Sequence, residues 1–206
     1  MRKSWKIWLG AAALLVTLPL AAQKTAKEAE THQGAPADYE KILKPAAEHE
    51  ILDRFVGTWK ADLKILLYGP PPKESWMKDI LEAQWILNDR FIETSFASEY
   101  AGGPVKGKVI MGYDGASKEF FRVFLVDWDS RGTFSRGVYI KSKNALVFHG
   151  TEHDPISGDK FQKRDVFTFG PDKNKFLYEE YYIFADGSEI KPIEGYYTRV
   201  VPETKK

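Results

Sequence analysis

From Gly57 onward, apolar and polar residues alternate with a period of two, and they do so in short segments with little chain between them. Trp59, Ala61, Leu63, Ile65 and Leu67 alternate with Lys60, Asp62 and Lys64. That period marks a strand with one buried face. Further segments follow at about Asp79–Leu87, Arg90–Tyr100, Lys106–Tyr113, Glu119–Trp128, Thr133–Lys141, Ala145–Thr151, Lys160–Phe169, Lys175–Phe184 and Glu189–Val200. Turn-forming pairs punctuate them, among them Asn88-Asp89, Asp114-Gly115, Lys143-Asn144, Asp154-Pro155 and Asp186-Gly187. A parallel neighbour needs a crossover of a dozen residues or more, which these links cannot supply. The pattern therefore predicts an all-β antiparallel meander of about ten strands. Closure removes the edges of so long a meander. An up-and-down barrel is the first expectation and a two-sheet sandwich the second.

The chain ahead of the strands divides into three parts. Residues 1–22 have the parts of a cleavable secretory signal. Arg2, Lys3 and Lys6 precede an uncharged run from Ile7 to Leu18, Pro19 breaks it, and Leu20-Ala21-Ala22 suits cleavage before Gln23. The apolar run is shorter than the ~18 residues of a spanning helix, so no transmembrane span is expected after cleavage. Residues 23–44 are polar and small, a linker without enough apolar surface to repay ordering. Residues 45–201 form the single domain, opening on a short helix with Ala47, Ile51, Leu52 and Phe55 on one face and Gly57 at its end. Residues 202–206 are a polar tail. The expected location is periplasmic or secreted. The chain has no cysteine, so neither disulfides nor a lipid-bearing cysteine contributes.

The signal carries three of the 30 basic residues and none of the 29 acidic ones, which leaves the remainder at −2. That near-balance offers no electrostatic footing for nucleic acid.

Two motifs fail on their flanks. Gly102–Lys108 has phosphate-loop spacing, but Val109 replaces the Ser or Thr, and a strand follows where a helix is needed. His149-Gly150-Thr151-Glu152-His153 has the H-x-x-E-H order of a zinc site. On a strand its two histidines lie about 13 Å apart, with Glu152 on the other face. No metal or cofactor is expected, and no catalytic set assembles. Charged residues do recur within the strands: Glu82, Glu93, Arg122, Arg136, Asp165, Glu180 and Glu194. Some must face inward, where a few polar groups in an apolar lumen make a small-ligand site. The candidates are Arg122, His149, Glu180 and Trp85, with His149 inward if Val147 is.

Gly57-Thr58-Trp59, after a short helix and opening the first strand, resembles the G-x-W signature of lipocalins and other calycin-like barrels. That resemblance implies that Trp59 packs at the closed end under a late-strand arginine, here Arg199, a structural closure formed by Gly57, Trp59 and Arg199. The span from about His49 to Arg199 also resembles a bacterial domain-of-unknown-function family, the one numbered fifteen seventy-nine. The similar segments include Trp85–Phe91, Gly112-Tyr113-Asp114 and Asp154–Gly158. The resemblance implies a calycin-like barrel and no assigned activity. The family's Trp-x-Asp is replaced here by Phe124-Leu125-Val126-Asp127-Trp128. The leading expectation is an exported, non-enzymatic barrel that binds a small, largely apolar ligand. The alternatives are a hydrolase or isomerase using a carboxylate with His149 or Arg122, a haem or nitric-oxide binding barrel, and a pure interaction module.

Overall fold

The computed structural model describes residues 45–67, 71–100, 103–154 and 157–201; the signal, linker and tail expectations lie outside these residues. Ten antiparallel strands follow one another in chain order and close into a barrel, with β1 paired to both β2 and β10. They are β1 Gly57–Leu67, β2 Lys73–Ile86, β3 Phe91–Tyr100, β4 Gly103–Asp114, β5 Glu119–Val126, β6 Asp129–Ile140, β7 Ala145–His153, β8 Lys160–Phe169, β9 Lys175–Ile183 and β10 Glu189–Arg199. Every strand is paired on both sides, which leaves no open row of backbone donors and acceptors.

The alternating sequence explains which face goes in. Along β1 the buried residues are Trp59, Ala61, Leu63 and Ile65, while Lys60 and Asp62 face solvent. Polar stretches also joined the barrel where a neighbour offered an unpaired edge. β2 begins at Lys73, earlier than its apolar pattern suggests, because β1 pairs with it as far as Leu67↔Lys73. β4 and β6 likewise extend beyond their apolar cores at the same end of the barrel.

The helix is shorter than expected. α1 spans His49–Leu52 and tightens into a 3-10 turn at Asp53–Phe55; Pro45 lies before it rather than opening it. Its purpose is to plug one end. Leu52 and Phe55 are buried, and Phe55 meets the rings of Phe167, Phe169 and Phe176 at 5.2–5.6 Å. Asn144, in a left-handed turn at φ 49°, anchors the plug. Its side-chain oxygen accepts hydrogen bonds from Arg54 at 2.6 Å and the Tyr139 hydroxyl at 2.7 Å, and its amide donates to Phe169 O at 2.8 Å.

Gly57, Trp59 and Arg199 meet at the same end. The Trp59 indole N–H donates to Phe55 O at 2.7 Å, and the Arg199 guanidinium carbon lies 4.1 Å from the centre of the Trp59 ring. Arg199 also donates to Val56 O and, at 3.1 Å, to Lys173 O. Gly57 sits at φ +118°, a conformation that only glycine adopts readily, and a Cβ there would collide with Arg199 Nη1. We therefore expect Gly57→Ala to destabilise the protein by more than about 1 kcal/mol and Trp59→Ala by roughly 3–5 kcal/mol, measured by urea unfolding. A wild-type midpoint for Gly57→Ala would show that the contact is not essential.

Candidate functional site

The lumen has three levels. At the plugged end it is filled: Trp59, Ile92, Leu146, Phe148 and Phe176 are no more than 1% exposed. At the opposite end several inward positions are apolar but only half-buried. Met77 on β2, Phe96 on β3, Phe124 and Val126 on β5, Phe161 on β8 and Ile193 on β10 are of this kind. Side chains that point into a barrel yet still meet solvent mark its open mouth. Between plug and mouth lies a layer of charge.

Two cations and three carboxylates build that layer. Arg122 on β5 donates from Nη1 to Asp165 Oδ2 on β8 at 2.9 Å. Lys163, two residues before Asp165 and so on the same face, lies 2.9 Å from Glu180 on β9, 3.4 Å from Glu152 on β7 and 3.8 Å from Asp165. The Tyr178 hydroxyl is 2.7 Å from both Asp165 Oδ1 and Glu180 Oε2; with one proton, it donates to one carboxylate at a time. Thr133 donates to Glu152 at 2.7 Å. The Phe124 ring covers the layer, 5.1 Å from the Arg122 guanidinium carbon and 5.4 Å from Lys163 Nζ. Arg122, Lys163, Asp165 and Glu180 are each 1–6% exposed.

Burial opposes each of these charges, and the partners decide the outcome. Burial by itself raises the Asp165 carboxyl, but Lys163, Arg122 and the Tyr178 hydrogen bond together hold it below its ordinary value. Burial by itself lowers Lys163 and Arg122, yet Asp165 and Glu180 hold both above theirs. The Tyr178 hydroxyl is pushed well up, first by burial and then by Asp165 and Glu180. Lys163, Arg122 and Asp165 are thus held in their charged forms by one another.

A second polar group sits on the opposite wall. Asp79 on β2 accepts from Ser98 Oγ at 2.7 Å and from the Tyr197 hydroxyl. Here no cation is among the causes: burial raises the Asp79 carboxyl despite hydrogen bonds from Tyr197, Ser98 and the Ile80 backbone.

Of the sequence candidates, the structure brings Arg122 and Glu180 into this layer. It does not bring in the other two. Trp85 lies by the plug, where its N–H donates to Asp53 at 2.8 Å and its ring is 6.3 Å from that of His49. His149 is exposed on the outer face of β7, opposite Arg136 and Arg164. The correction has a simple cause. Leu146, Phe148 and Glu152 share the inward phase, so Val147, although buried, is an outer-face residue, and His149 follows it outward. His153 is exposed on that same outer phase, which separates both histidines from Glu152. Among the described histidines none faces the lumen, so neither the inward haem ligand nor a His149–carboxylate pair forms there. Of the strand charges, Arg122, Asp165 and Glu180 point in, whereas Glu82, Glu93, Arg136 and Glu194 point out.

Lys163, Glu152 and Asp79 were not anticipated. Lys163 was findable, because it shares the phase of Asp165, Phe167 and Phe169 along β8. Two depressions of about 610 and 420 Å³ lie mostly on the outer wall, and the larger is bordered by exposed Ile80, Lys106, Lys108 and Leu125 and, at its edge, by the inward-phase Phe96 and Val126. No residue of the charged layer borders either one.

This architecture, a closed antiparallel barrel with a helical plug and an Arg-over-Trp closure, is calycin-like. The chain belongs to the family described as "Protein of unknown function (DUF1579)", matched over residues 44–199. No curated protein matches it. Among solved structures the barrel is similar to that of the S-type phycobiliprotein lyase CPES from Guillardia theta. The TM-score is 0.54 at 11% identity, over 80% of this chain and 99% of that one, a likeness of fold.

Removing one partner of a buried pair strands the other. Asp165→Leu is expected to cost about 3–5 kcal/mol, while adding Arg122→Met recovers most of it. A double-mutant cycle by urea unfolding checks this, and additive losses would contradict it. Asp79 and Asp165 act on stability in opposite senses. The Asp165 contribution is present above its ordinary value of 3.8 and is lost as pH falls below it. Asp79, raised above 3.8, favours the folded state while protonated, and that contribution is lost as pH rises through its folded pKa. Asp79→Asn should therefore gain stability relative to the wild type as pH rises from about 4 to 7; a constant difference would refute the assignment.

Proposed function

We propose that the protein takes a small amphipathic ligand through the mouth of the barrel and seats it against the charged layer. One observation carries this reading: apolar side chains at inward positions stay half-exposed directly above a buried ion cluster. A closed scaffold has no use for either feature. Well-packed apolar residues are often as stabilising as a buried ion pair, or more so, and a filled barrel end looks like the plugged one. An apolar wall that converges on a few fixed polar groups is the usual composition of a small-molecule site. The charged floor refines the earlier expectation of a largely apolar ligand, because a wholly apolar molecule would leave it without a polar contact.

We further propose export. The basic start, the uncharged run and the Ala21-Ala22 site support cleavage before Gln23. Mass spectrometry of the protein recovered from outside the cytoplasm should find Gln23 at the N-terminus; an intact Met1 would sink the proposal.

Binding is tested by titrating a hydrophobic fluorophore into wild type and Met77→Trp. Met77 is half-buried at an inward position of β2 near the rim and borders neither depression, so the indole should narrow the mouth. Dye affinity is expected to fall at least about tenfold, a loss of ~1.4 kcal/mol, with little change in unfolding midpoint. Unchanged affinity would place the dye elsewhere, with the outer groove the next place to look.

A further inference from the structure

Among the described residues, two buried hydroxyls inside the barrel lack a hydrogen-bond partner: Thr94 Oγ1 on β3 and Ser135 Oγ on β6. They are 4% and 1% exposed. A buried hydroxyl without a partner forfeits its hydration for nothing, and a methyl group in its place would not. Each such atom in a native protein calls for a physical reason, such as an ordered water, a ligand or stored strain.

Ser135 has the more telling surroundings. It sits directly across from Arg122 on one side and from Gly150 on the other, and Gly150 in turn faces Lys163. Gly150 keeps space over the hydroxyl, since a Cβ there would lie 2.6 Å from Ser135 Oγ. The result is a free O–H donor in the same inward row as a guanidinium and an ammonium.

The charge already in the layer limits what can bind there. Arg122 and Lys163 face Asp165, Glu180 and Glu152, one carboxylate more than there are cations. An anionic head group would compete with those carboxylates for cations they already hold, and an ammonium head would lie beside Arg122. A neutral acceptor does neither.

Resting on the proposed binding through the mouth, we infer that the ligand carries a neutral carbonyl-type head group, an amide, ester or ketone. Its oxygen accepts from Ser135 Oγ–H beside Arg122. Its apolar body lies toward the mouth against Phe124 and Val126.

The test uses the full chain and four probes of equal length: octanamide, octanoate, octylamine and octane, each measured by displacement of a hydrophobic fluorophore at pH 7. Octanamide should bind about tenfold more tightly than the other three, the discrimination that one hydrogen bond supplies. Ser135→Ala should erase that advantage while the thermal midpoint holds or rises, because alanine removes an unpaired hydroxyl. A serine that served only the fold would lower the midpoint and leave the probe order alone. Gly150→Ala, which crowds the hydroxyl and keeps Ser135, should also weaken octanamide selectively, and it carries the test if Ser135→Ala fails to fold. Equal binding of all four probes, or an amide preference that survives both variants, would overturn the head-group assignment and leave binding through the mouth intact. If none of the four binds, the mouth reading falls and this inference with it.

Discussion

Pairing of β1 with β10 is the constraint on which the rest of the molecule depends. Once that ladder closes, every second side chain of ten strands is committed to one narrow lumen. The register Trp59↔Arg199 then brings the first inward aromatic residue against the last strand's guanidinium. Gly57 makes that approach possible by having no side chain and by accepting a positive φ. The helical plug hangs on the same corner, since the Trp59 indole holds Phe55 O.

Closure also makes charge in the lumen unavoidable once the sequence places it on the inward phase. Arg122, Lys163, Asp165 and Glu180 cannot reach bulk water, so each needs a partner across the barrel. Coulombic attraction, strengthened by low local dielectric, offsets the desolvation. The layer separates a filled aromatic end from a half-exposed apolar one. Asp79 stands apart, held by two hydroxyls with no cation, and its carboxyl rises accordingly.

Much of the fold was legible in the chain. Period-two alternation and turn pairs such as Asn88-Asp89 and Asp186-Gly187 located ten strands, most of them to within a few residues. These signals are local, a matter of which face is wet and which residue accepts a left-handed turn. The discrepancies arose where a neighbour overrode local preference. Lys73–Lys78 is polar, yet it completes the ladder with β1. Pro45 looks like a helix start, but the buried contacts of Leu52 and Phe55 hold only the later residues.

The site was only partly legible, and His149 shows why. In β7 the run Ala145, Leu146, Val147 and Phe148 is buried on both faces, so alternation there gives no phase. Phase came from the partner strands, which put Phe148 and Glu152 inside and His149 outside. By itself the sequence determined the class of fold and the fact that some strand charges must turn inward, because periodicity and composition are properties of single segments; the closing residues Gly57, Trp59 and Arg199 were legible only through the resemblance to the lipocalin signature. Only the tertiary structure decided which charges met. Arg122 and Asp165 are 43 residues apart in the chain, and their contact is set by strand order, register and closure, which no single segment encodes.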